Sequence, residues 1–368
     1  PLMKIRLVTL PGDGIGPEVI RQAVRVLHAV ADVTGLSVEI AEHPIGAAAL
    51  RSSGVPLPDT TLAACQKATA VLLGAVGDPA FDNHPPTLRP EAGLLALRTA
   101  LGGFANLRPA VAFEPVLDVS PLKRERVRGA DVLVVRELLG GLYYGEPRGR
   151  EPDGRGAFNT LRYTTAEIER VARVAFEEAG RRRRKVTSVD KANVLEVSRL
   201  WREVVTRVAR DYPEIALSHM YVDSFAMRLA TSPTDFDVVV TDNLFGDILS
   251  DEAAVISGSL GLLPSATLGG SVALYEPVHG SAPDIAGQDI ANPIGAIGCI
   301  AMLLRHTAHM AREADAVDAA TREVLAHGLR PADLARPDDT PAGTAEIGAA
   351  VERAVIDALE RHWSYHAV

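Results

Sequence analysis

The chain has 368 residues, which is more than one ordinary hydrophobic core accommodates, so we expect two domains. Hydrophobic residues make up 47% of the sequence, as is typical of a well-packed globular protein. The formal net charge of −9 argues against nucleic acid or an anionic membrane as the main partner, and an acidic substrate would need a local concentration of cations.

Apolar runs alternate with helical spacing along the chain. Strands are predicted at 4–10, 37–41, 70–75, 131–136, 185–189, 216–222 and 236–241. Helices are predicted at 17–34, 59–67, 165–179 and 194–211, and from about residue 293 to the end with a proline-rich interruption near 331–341. This alternation favours an α/β fold in which a parallel sheet has helices on both faces.

The sequence carries no sign of secretion or membrane insertion. Cys65 and Cys299 are isolated and lack metal-ligand spacing, so we expect free thiols, mostly buried, in a reducing compartment. The opening "PLMKIRLVTL" runs directly into a strand without a signal-peptide core. The apolar stretch "VISGSLGLLPSATLGGSVAL" is broken by Gly, Pro and Ser, which makes it a poor membrane span. A cytoplasmic location is expected.

The segment "LPGDGIGPEV" resembles a nucleotide-binding loop, but its glycine spacing is wrong. Gly12, Gly14 and Gly16 alternate, whereas the dinucleotide fingerprint needs glycine at the first, third and sixth positions. Pro17 suits the first position of a helix, where its missing N–H is not needed. The segment therefore predicts a tight turn from strand to helix and not a Rossmann site.

Two polar stretches interrupt the middle of the chain. The Gly- and Pro-rich segment 146–158 predicts a loop that could form a mobile arm. The run "RRRRK" at 181–185 follows a helix, where the helix dipole favours cations, and a solvated face is expected for it.

Three arginines are candidates for carboxylate binding. Arg98 lies in a predicted helix, and Arg108 and Arg136 lie at or near predicted strand ends. Guanidinium groups bind carboxylates in a bidentate manner, so three that converge could hold a di- or tricarboxylate. Each of them taken alone is equally compatible with a surface or salt-bridge role.

Three carboxylates are candidates for metal binding. Asp247 and Asp251 are four residues apart, so they share a face if their segment is helical. Two oxygen ligands on one face suit Mg²⁺ or Mn²⁺, although a solvated acidic face is the alternative. Asp223 ends an apolar run, from which a third carboxylate could converge.

Lys191 and the Tyr143–Tyr144 pair are candidates for proton transfer. Lys191 is one of only five lysines and lies between a predicted strand and a helix. In a partly desolvated cleft a lysine can act as a base, although a surface lysine at a helix start is the alternative. Tyr143 or Tyr144 could supply a phenol as an acid, and otherwise both are core or interface aromatics.

The segment 274–297 predicts a long polar loop that could bind a nucleotide. Within it Asp284 could accept a hydrogen bond from a ribose hydroxyl, His279 could contact an adenosine and Asn292 could contact the adenine edge. Gly280, Ser281 and Ala282 form a tight stretch ahead of Pro283.

Together these segments resemble the β-decarboxylating dehydrogenases, the isocitrate/isopropylmalate dehydrogenase family. The resemblance covers nearly the whole chain, and it is carried in order by "RPEAGLLALR", "FANLRP", "RELLGGLYYGEPRG", "DKANVLEVSRLW", "GSLGLLPSATLG" and "YEPVHGSAPDIAGQDIANPIGAI". It implies a two-domain α/β fold with a long shared central mixed sheet flanked by helices, which is not a Rossmann fold. The implied domains are 1–103 with 258–368, on the cofactor side, and 104–257, with the metal and substrate residues.

The resemblance also implies an activity, which is the NAD-dependent oxidative decarboxylation of 3-isopropylmalate to 4-methyl-2-oxopentanoate and CO₂ in leucine biosynthesis. It implies that Lys191 takes the hydroxyl proton and that Tyr143 protonates the enolate. It assigns substrate carboxylates to Arg98, Arg108 and Arg136, and Mg²⁺ or Mn²⁺ to Asp223, Asp247 and Asp251. Lys191 and Asp223 would serve the neighbouring subunit's site, so a homodimer with shared sites is implied.

The resemblance further implies how the substrate and the cofactor are selected. Leu94, Leu95 and Val194 would form an apolar wall for the isopropyl group, and Glu91 would repel a third carboxylate. The implied NAD-binding residues are Ile15, His279, Gly280, Ser281, Ala282, Asp284 and Asn292. Asp284 followed by Ile285 would repel a 2′-phosphate.

Three positions depart from the family pattern, because Ser224, Phe225 and Arg228 stand where Asn, Ala and Gln are expected. They put the relative activity or the metal affinity in question and leave the catalytic assignment intact. A related dehydrogenase that acts on another malate, such as tartrate or a broad range of 3-alkylmalates, is the alternative within the family. A non-catalytic binding protein that keeps the fold is the alternative from another class.

Overall fold

The computed structural model describes the backbone of residues 4–366 and the side chains of residues 4–361. The chain divides into two compact units: unit 1 consists of Pro1–Gly103 and Ser259–Val368, and unit 2 consists of Phe104–Gly258.

Strands and α-helices alternate along much of the described chain. The strands are β1 Lys4–Gly12, β2 Ser37–Glu42, β3 Ala70–Ala75, β4 Ala105–Val111, β5 Asp131–Glu137, β6 Gly149–Arg150, β7 Ala157–Phe158, β8 Lys185–Asp190, β9 Ala216–Tyr221, β10 Val238–Thr241, β11 Pro264–Leu268 and β12 Ala273–Pro277. The helices are α1 Gly16–Thr34, α2 Gly46–Ser53, α3 Asp59–Lys67, α4 Pro90–Leu101, α5 Arg124–Val127, α6 Thr165–Gly180, α7 Glu196–Ala209, α8 Val222–Thr231, α9 Asn243–Ser257, α10 Ile294–His306, α11 Ala311–Ala326 and α12 Thr344–His366.

In unit 1 five strands lie in the order β2-β1-β3-β12-β11. The neighbours β2, β1, β3 and β12 pair in parallel, and β11 pairs antiparallel to β12. β3 is buried along its whole length, as expected for a central parallel strand covered on both faces. One face of α1 buries Val19, Ala23, Val26 and Val30, at the helical spacing that predicted this helix.

In unit 2 the order is β4-β5-β10-β8-β9. β4 pairs antiparallel to β5, and the other neighbours pair in parallel. The carboxyl ends of β5, β10, β8 and β9 therefore meet at one edge of this sheet, which is where open α/β sheets bind their ligands. The segment 146–158, predicted as a loop, contains the small antiparallel pair of β6 and β7.

The α/β class predicted from the sequence is confirmed, and the parallel pairing that the alternation favoured holds for most but not all neighbouring strands. β4 and β11 run antiparallel to a neighbour, so the sheets are mixed, as the resemblance implied. Periodicity missed β4, β11 and β12, because each contains proline and none follows a strict alternation. β12 includes the first residues of the segment 274–297, so the prediction of a loop over that whole segment is wrong at this end.

Four of the five residues in the "RRRRK" run are exposed, as predicted for a solvated face, and Arg182 is the exception. The side chain of Arg182 is only 21% exposed, and its Nε lies 2.8 Å from Oδ1 of the fully buried Asp237. Its Nη2 lies 2.7 Å from Oδ1 of Asp131. Arg182 therefore neutralises the buried Asp237, which directly precedes β10, while Arg181 and Arg184 are exposed.

The described residues contain no helix with the length and apolar character needed to cross a bilayer. The prediction of free, buried thiols is confirmed for both Cys65 and Cys299. Burial raises the pKa of the Cys65 thiol to about 12, so this side chain is an apolar packing group and not a nucleophile.

Candidate active site

One polar cluster in unit 2 joins Arg136, Asp247 and Tyr143. Arg136 is near the carboxyl end of β5, and its Nη1 donates to Oδ1 of Asp247 at 2.5 Å. The hydroxyl of Tyr143 donates to the other carboxylate oxygen, Oδ2, at 2.9 Å. Burial, followed by this bond to a carboxylate, raises the pKa of Tyr143, so the phenol keeps its proton. The cluster brings a fixed cation, a carboxylate and a proton donor into contact.

Arg108 forms a second cluster in the same unit. Arg108 lies within β4, not at a strand end, and its Nη1 lies 2.9 Å from Oγ of Ser250 and 3.2 Å from Oδ1 of Asp251. Its Nε donates to Oδ1 of Asn106 at 2.8 Å. The guanidinium is therefore held from two sides, although Asp251 itself remains 67% exposed.

Lys191 and Asp223 form an ion pair at the edge of unit 2. Lys191 follows β8, Asp223 lies in the first turn of α8, and Lys191 Nζ donates to Oδ1 of Asp223 at 2.5 Å. This bond lowers the pKa of Asp223. The side chain of Lys191 is 28% exposed, so it is partly desolvated, as the sequence predicted for a proton-transfer lysine.

Asp247 and Asp251 have the chemistry to hold a hard divalent cation. Their segment is the helix α9, so the two carboxylates share one face, as predicted. Mg²⁺ takes one or two protein carboxylates together with substrate oxygens, and two adjacent carboxylates fit that requirement. Asp223 pairs with Lys191, and in the described part of the chain no three His, Cys, Asp or Glu side chains form a group suited to a metal. The proposed three-ligand set is therefore not assembled within one chain.

In unit 1, Arg98 on α4 is paired with Glu276 at the end of β12. Nη2 of Arg98 lies 2.5 Å from Oε1 of Glu276, and both side chains are largely buried. Nε of Arg98 and Oε2 of Glu276 are buried without a hydrogen-bond partner. Because buried polar atoms are normally satisfied, these two atoms mark a place where a ligand or water can bind.

On the same helix α4, Glu91 and Leu95 are exposed and Leu94 is partly buried. Val194, between β8 and α7 in unit 2, is 63% exposed. An exposed apolar side chain beside polar groups is available to contact an apolar substituent.

The glycine-rich turn "LPGDGIGPEV" supports the loop that was predicted to bind the cofactor. The amide of Ile15 donates to the carbonyl oxygen of Ser281 at 2.7 Å. A Cβ on Gly14 would lie 1.9 Å from the same oxygen, so the close approach requires glycine. Asp13 is buried and accepts hydrogen bonds from the amides of Ala47 and Gly77, which fixes the turn.

The loop itself presents both exposed and unsatisfied groups. Nε2 of His279 is buried without a hydrogen-bond partner in the protein, which is typical of an atom that binds a ligand or a water molecule. Burial lowers the pKa of His279, so the neutral imidazole is favoured. Asp284 is exposed, whereas Asn292 is buried and donates to Oδ2 of Asp333 at 3.0 Å. The loop therefore offers a nucleotide a neutral ring and a carboxylate, whereas the Asn292 amide is bonded to Asp333 and to the backbone of Ile294.

A family comparison accounts for the combination of these groups. The family model described as isocitrate/isopropylmalate dehydrogenase matches residues 6–351. The chain belongs to the isocitrate/isopropylmalate dehydrogenase family. It is therefore an enzyme, an oxidoreductase of a decarboxylating family.

Relatives and solved structures agree with the family. The chain is 54% identical to the 3-isopropylmalate dehydrogenase of Wolinella succinogenes, over 91% of this chain and 93% of that one. It is 55% identical to the enzyme of the same name from Nitratidesulfovibrio vulgaris, over 94% and 98%. The isocitrate dehydrogenase of Methylococcus capsulatus matches with a TM-score of 0.83 at 37% identity, over 96% of this chain and 100% of that one. The β-decarboxylating dehydrogenase of Thermococcus kodakarensis matches with a TM-score of 0.80 at 37% identity, over 100% and 99%. These likenesses confirm the predicted fold class.

The positions that depart from the family pattern form a local packing group. Phe225 is fully buried and meets Phe236 edge to face, with ring centroids 4.8 Å apart. Arg228 pairs with Asp235, and its guanidinium lies 5.8 Å from the Phe236 ring centroid. Phe225 and Arg228 are therefore both packed against neighbouring side chains of unit 2, and nothing in the structure explains Ser224.

Sequence reasoning missed several residues that hold the functional side chains. Asn243 contacts Arg136, Glu276 pairs with Arg98, Ser250 contacts Arg108, and Asp333 contacts Asn292. Asn243 and Ser250 lie within a few residues of the predicted metal ligands Asp247 and Asp251, which was the available signal. Their partners are far away in sequence, so no local pattern could identify the contacts.

Proposed function

We propose that this chain is an NAD-dependent 3-isopropylmalate dehydrogenase, which oxidises and decarboxylates 3-isopropylmalate to 4-methyl-2-oxopentanoate and CO₂ in leucine biosynthesis. The observation that carries the proposal is the contact of Arg136 and Tyr143 with the same carboxylate, Asp247. The β-decarboxylation of a malate requires a cation that binds the substrate carboxylate, a side chain that can hold a metal ion, and a proton donor. Relatives of that name at 54% and 55% identity support the choice of substrate.

The arginines would bind the substrate's two carboxylates. Arg136 and Arg108 are held rigidly in unit 2 by neighbouring side chains, which limits the entropy lost when a carboxylate binds. Arg98 would contribute from unit 1. Each guanidinium now pairs with an acidic side chain, so substrate carboxylates would compete with Asp247, Asp251 and Glu276 for these cations.

Two side chains would move protons. Lys191 would accept the proton of the C2 hydroxyl as the alcohol is oxidised. Its Nζ donates to Asp223, so this bond must be released before the amine can accept the proton. After CO₂ leaves from C3, Tyr143 would deliver a proton to that carbon. The raised pKa of the phenol keeps that proton in place until it is needed.

A divalent metal ion and NAD⁺ would complete the site. Asp247 and Asp251, with Asp223, would hold Mg²⁺ or Mn²⁺, and the residues near Ile15, His279, Gly280, Ser281, Ala282, Asp284 and Asn292 would hold NAD⁺. When bound, NAD⁺ accepts a hydride and the metal ion stabilises negative charge on the C2 oxygen. The exposed carboxylate of Asp284 would favour NAD⁺ over NADP⁺, because it repels a 2′-phosphate.

Substrate choice would depend on the apolar side chains near C3. Leu94, Leu95 and Val194 would contact the isopropyl group, and the exposed Glu91 would repel the third carboxylate of isocitrate. An apolar pocket discriminates by roughly 1–3 kcal/mol per methylene, so a related alkylmalate would be accepted more readily than isocitrate.

The active form would be a homodimer with shared sites. Met227 on α8 and Ile248 on α9 are 64% and 60% exposed, which is costly for apolar side chains on adjoining helices. The partner's Asp223 would supply the third carboxylate that Asp247 and Asp251 lack within one chain. Shared sites would therefore account for the separation of Asp223 from the other two. A cytoplasmic location remains a prediction from the sequence.

NADH formation from 3-isopropylmalate with Mg²⁺ or Mn²⁺ tests this function. We expect kcat/KM for 3-isopropylmalate to exceed that for isocitrate, tartrate and malate by at least about 100-fold. NADP⁺ in place of NAD⁺, and a chelator in place of the metal, serve as matched controls that should abolish turnover. A preference for tartrate or isocitrate would reject the proposed substrate, and no NADH from any of them would reject the reaction.

A further inference from the structure

Asn243 is a buried amide whose hydrogen bonds all reach functional parts of unit 2. It is the first residue of α9 and is 1% exposed. Its Oδ1 accepts hydrogen bonds from Arg136 Nε at 3.0 Å and Nη2 at 2.8 Å. Its Nδ2 donates to the carbonyl oxygens of Leu138 at 3.1 Å and Gly140 at 3.0 Å. Both lone pairs and both protons of the amide are used.

Two residues of α9 bind different atoms of the Arg136 guanidinium. Asn243 holds Nε and Nη2, while Nη1 donates to Asp247. The helix also makes room for the arginine, because a Cβ on Gly246 would lie 2.6 Å from Cγ of Arg136. The direction in which Nη1 points is therefore set by α9.

The side-chain Nδ2 of Asn243 binds the segment that leads to Tyr143. Leu138 and Gly140 directly precede the short turn Gly141–Tyr143. The buried Glu137 reinforces the same segment by accepting from the amide of Gly140 at 2.8 Å and from the hydroxyl of Tyr163 at 3.0 Å. The hydroxyl oxygen of Tyr163 in turn accepts a hydrogen bond from the backbone N–H of Asn243 at 3.0 Å. The turn is thus tied to Asn243 by two routes.

We propose that Asn243 is a positioning residue that aligns the carboxylate-binding edge of Arg136 with the phenol of Tyr143. This inference rests on the proposed function for the roles of those two side chains. An amide is required here for two reasons. An aspartate would take the charge of Arg136 for itself, and it could not donate to the two carbonyl oxygens.

Kinetics of Asn243→Ala, Asn243→Asp and the control Thr241→Val test the proposal. Thr241 is also fully buried and its backbone pairs with Arg136 across the sheet, but its hydroxyl donates to the carbonyl oxygen of Val189 at 3.0 Å and bonds to neither Arg136 nor the Tyr143 turn. We expect Asn243→Ala to lower kcat/KM for 3-isopropylmalate about 10- to 100-fold, through both a higher KM and a lower kcat, with KM for NAD⁺ unchanged. Asn243→Asp should raise KM for the malate further, and Thr241→Val should change none of these constants.

A second readout does not depend on the substrate. The NMR signal of the Arg136 Nε–H group, assigned by its loss in Arg136→Lys, should be protected from exchange in the wild type and lost in Asn243→Ala. If the wild type fails to oxidise 3-isopropylmalate, the proposed function falls, and this signal still decides whether Asn243 holds Arg136. An unchanged signal in Asn243→Ala, or kinetic constants equal to those of Thr241→Val after correction for thermal stability, would overturn the proposal.

Discussion

The carbonyl oxygen of Ser281 occupies the space that a side chain on Gly14 would need. The two residues are far apart in sequence, yet a Cβ on Gly14 would lie 1.9 Å from that oxygen. The next amide, that of Ile15, donates to it at 2.7 Å. The opening glycine turn is therefore a support for the loop proposed to bind NAD⁺, which explains glycines that do not follow the fingerprint spacing.

Substitution of this glycine should weaken NAD⁺ binding selectively. We expect Gly14→Ala to raise KM for NAD⁺ about tenfold, because the loop from His279 must shift to relieve the contact. The matched control is Gly54→Ala. Gly54 also has a positive φ, of 77°, but a Cβ there would meet no atom within 4 Å. Both variants should lose about 1 kcal/mol of stability from the left-handed conformation. If Gly14→Ala and Gly54→Ala have the same KM for NAD⁺, the support role of Gly14 is refuted.

The phenol of Tyr143 should be needed for turnover. Tyr143→Phe removes the hydroxyl that donates to Asp247 and keeps the ring, so we expect kcat to fall about 100-fold with little change in the KM for NAD⁺. The adjacent Tyr144→Phe is the control, since Tyr144 is similarly exposed, at 39% against 41%. Steady-state kinetics of the two variants would compare them directly. Similar kcat values would remove Tyr143 from the proton-donor role.

Much of the fold follows from local patterns in the sequence. The helix expected at 17–34 lies at Gly16–Thr34, and the strand expected at 70–75 has those bounds. Both are set by side-chain periodicity, which a single sequence carries. The antiparallel direction of β4 could not be predicted in the same way, because it depends on pairing with β5 and not on the residues of β4 alone.

The site was predictable only as a set of residue types. The resemblance named Arg136 and Asp247, but periodicity could not indicate that Asn243, 107 positions from Arg136, holds its guanidinium. Arg182 makes the same point, because nothing in a run of like charges indicates which side chain is only 21% exposed and pairs with the buried Asp237. Long-range polar contacts depend on how distant segments of the chain pack together, and no short stretch of sequence indicates that packing.

Replacement of Lys191 should test the proton acceptor. We expect Lys191→Ala to lower kcat by about 10²- to 10⁴-fold, because general-base catalysis contributes on that scale. Fluorescence titration should find the affinity for NAD⁺ unchanged. Lys185→Ala, which removes an exposed lysine at the other end of β8, is the control and should keep full activity. Normal turnover of Lys191→Ala would exclude Lys191 as the base.

Asp242 should make the stability of the chain depend on pH. Asp242 is buried at the N-terminus of α9, where it accepts from the amide of Phe245 at 2.8 Å, and burial raises its pKa from 3.8 to about 6. Because the pKa is raised on folding, the neutral form stabilises the fold. That contribution is complete below pH 3.8 and is lost as the pH rises through about 6.

Asp242→Asn keeps the helix cap and removes the ionisable group. At about pH 8 we expect the variant to be more stable than the wild type by about 2–3 kcal/mol, since each pKa unit corresponds to about 1.4 kcal/mol. The difference should shrink as the pH falls toward 4, as measured by urea unfolding across this range. Asp153→Asn, on the exposed loop between β6 and β7, controls for the loss of one charge. A stability difference that stays constant between these pH values would contradict the assignment, because only a group that titrates differently in the folded and unfolded states produces the slope.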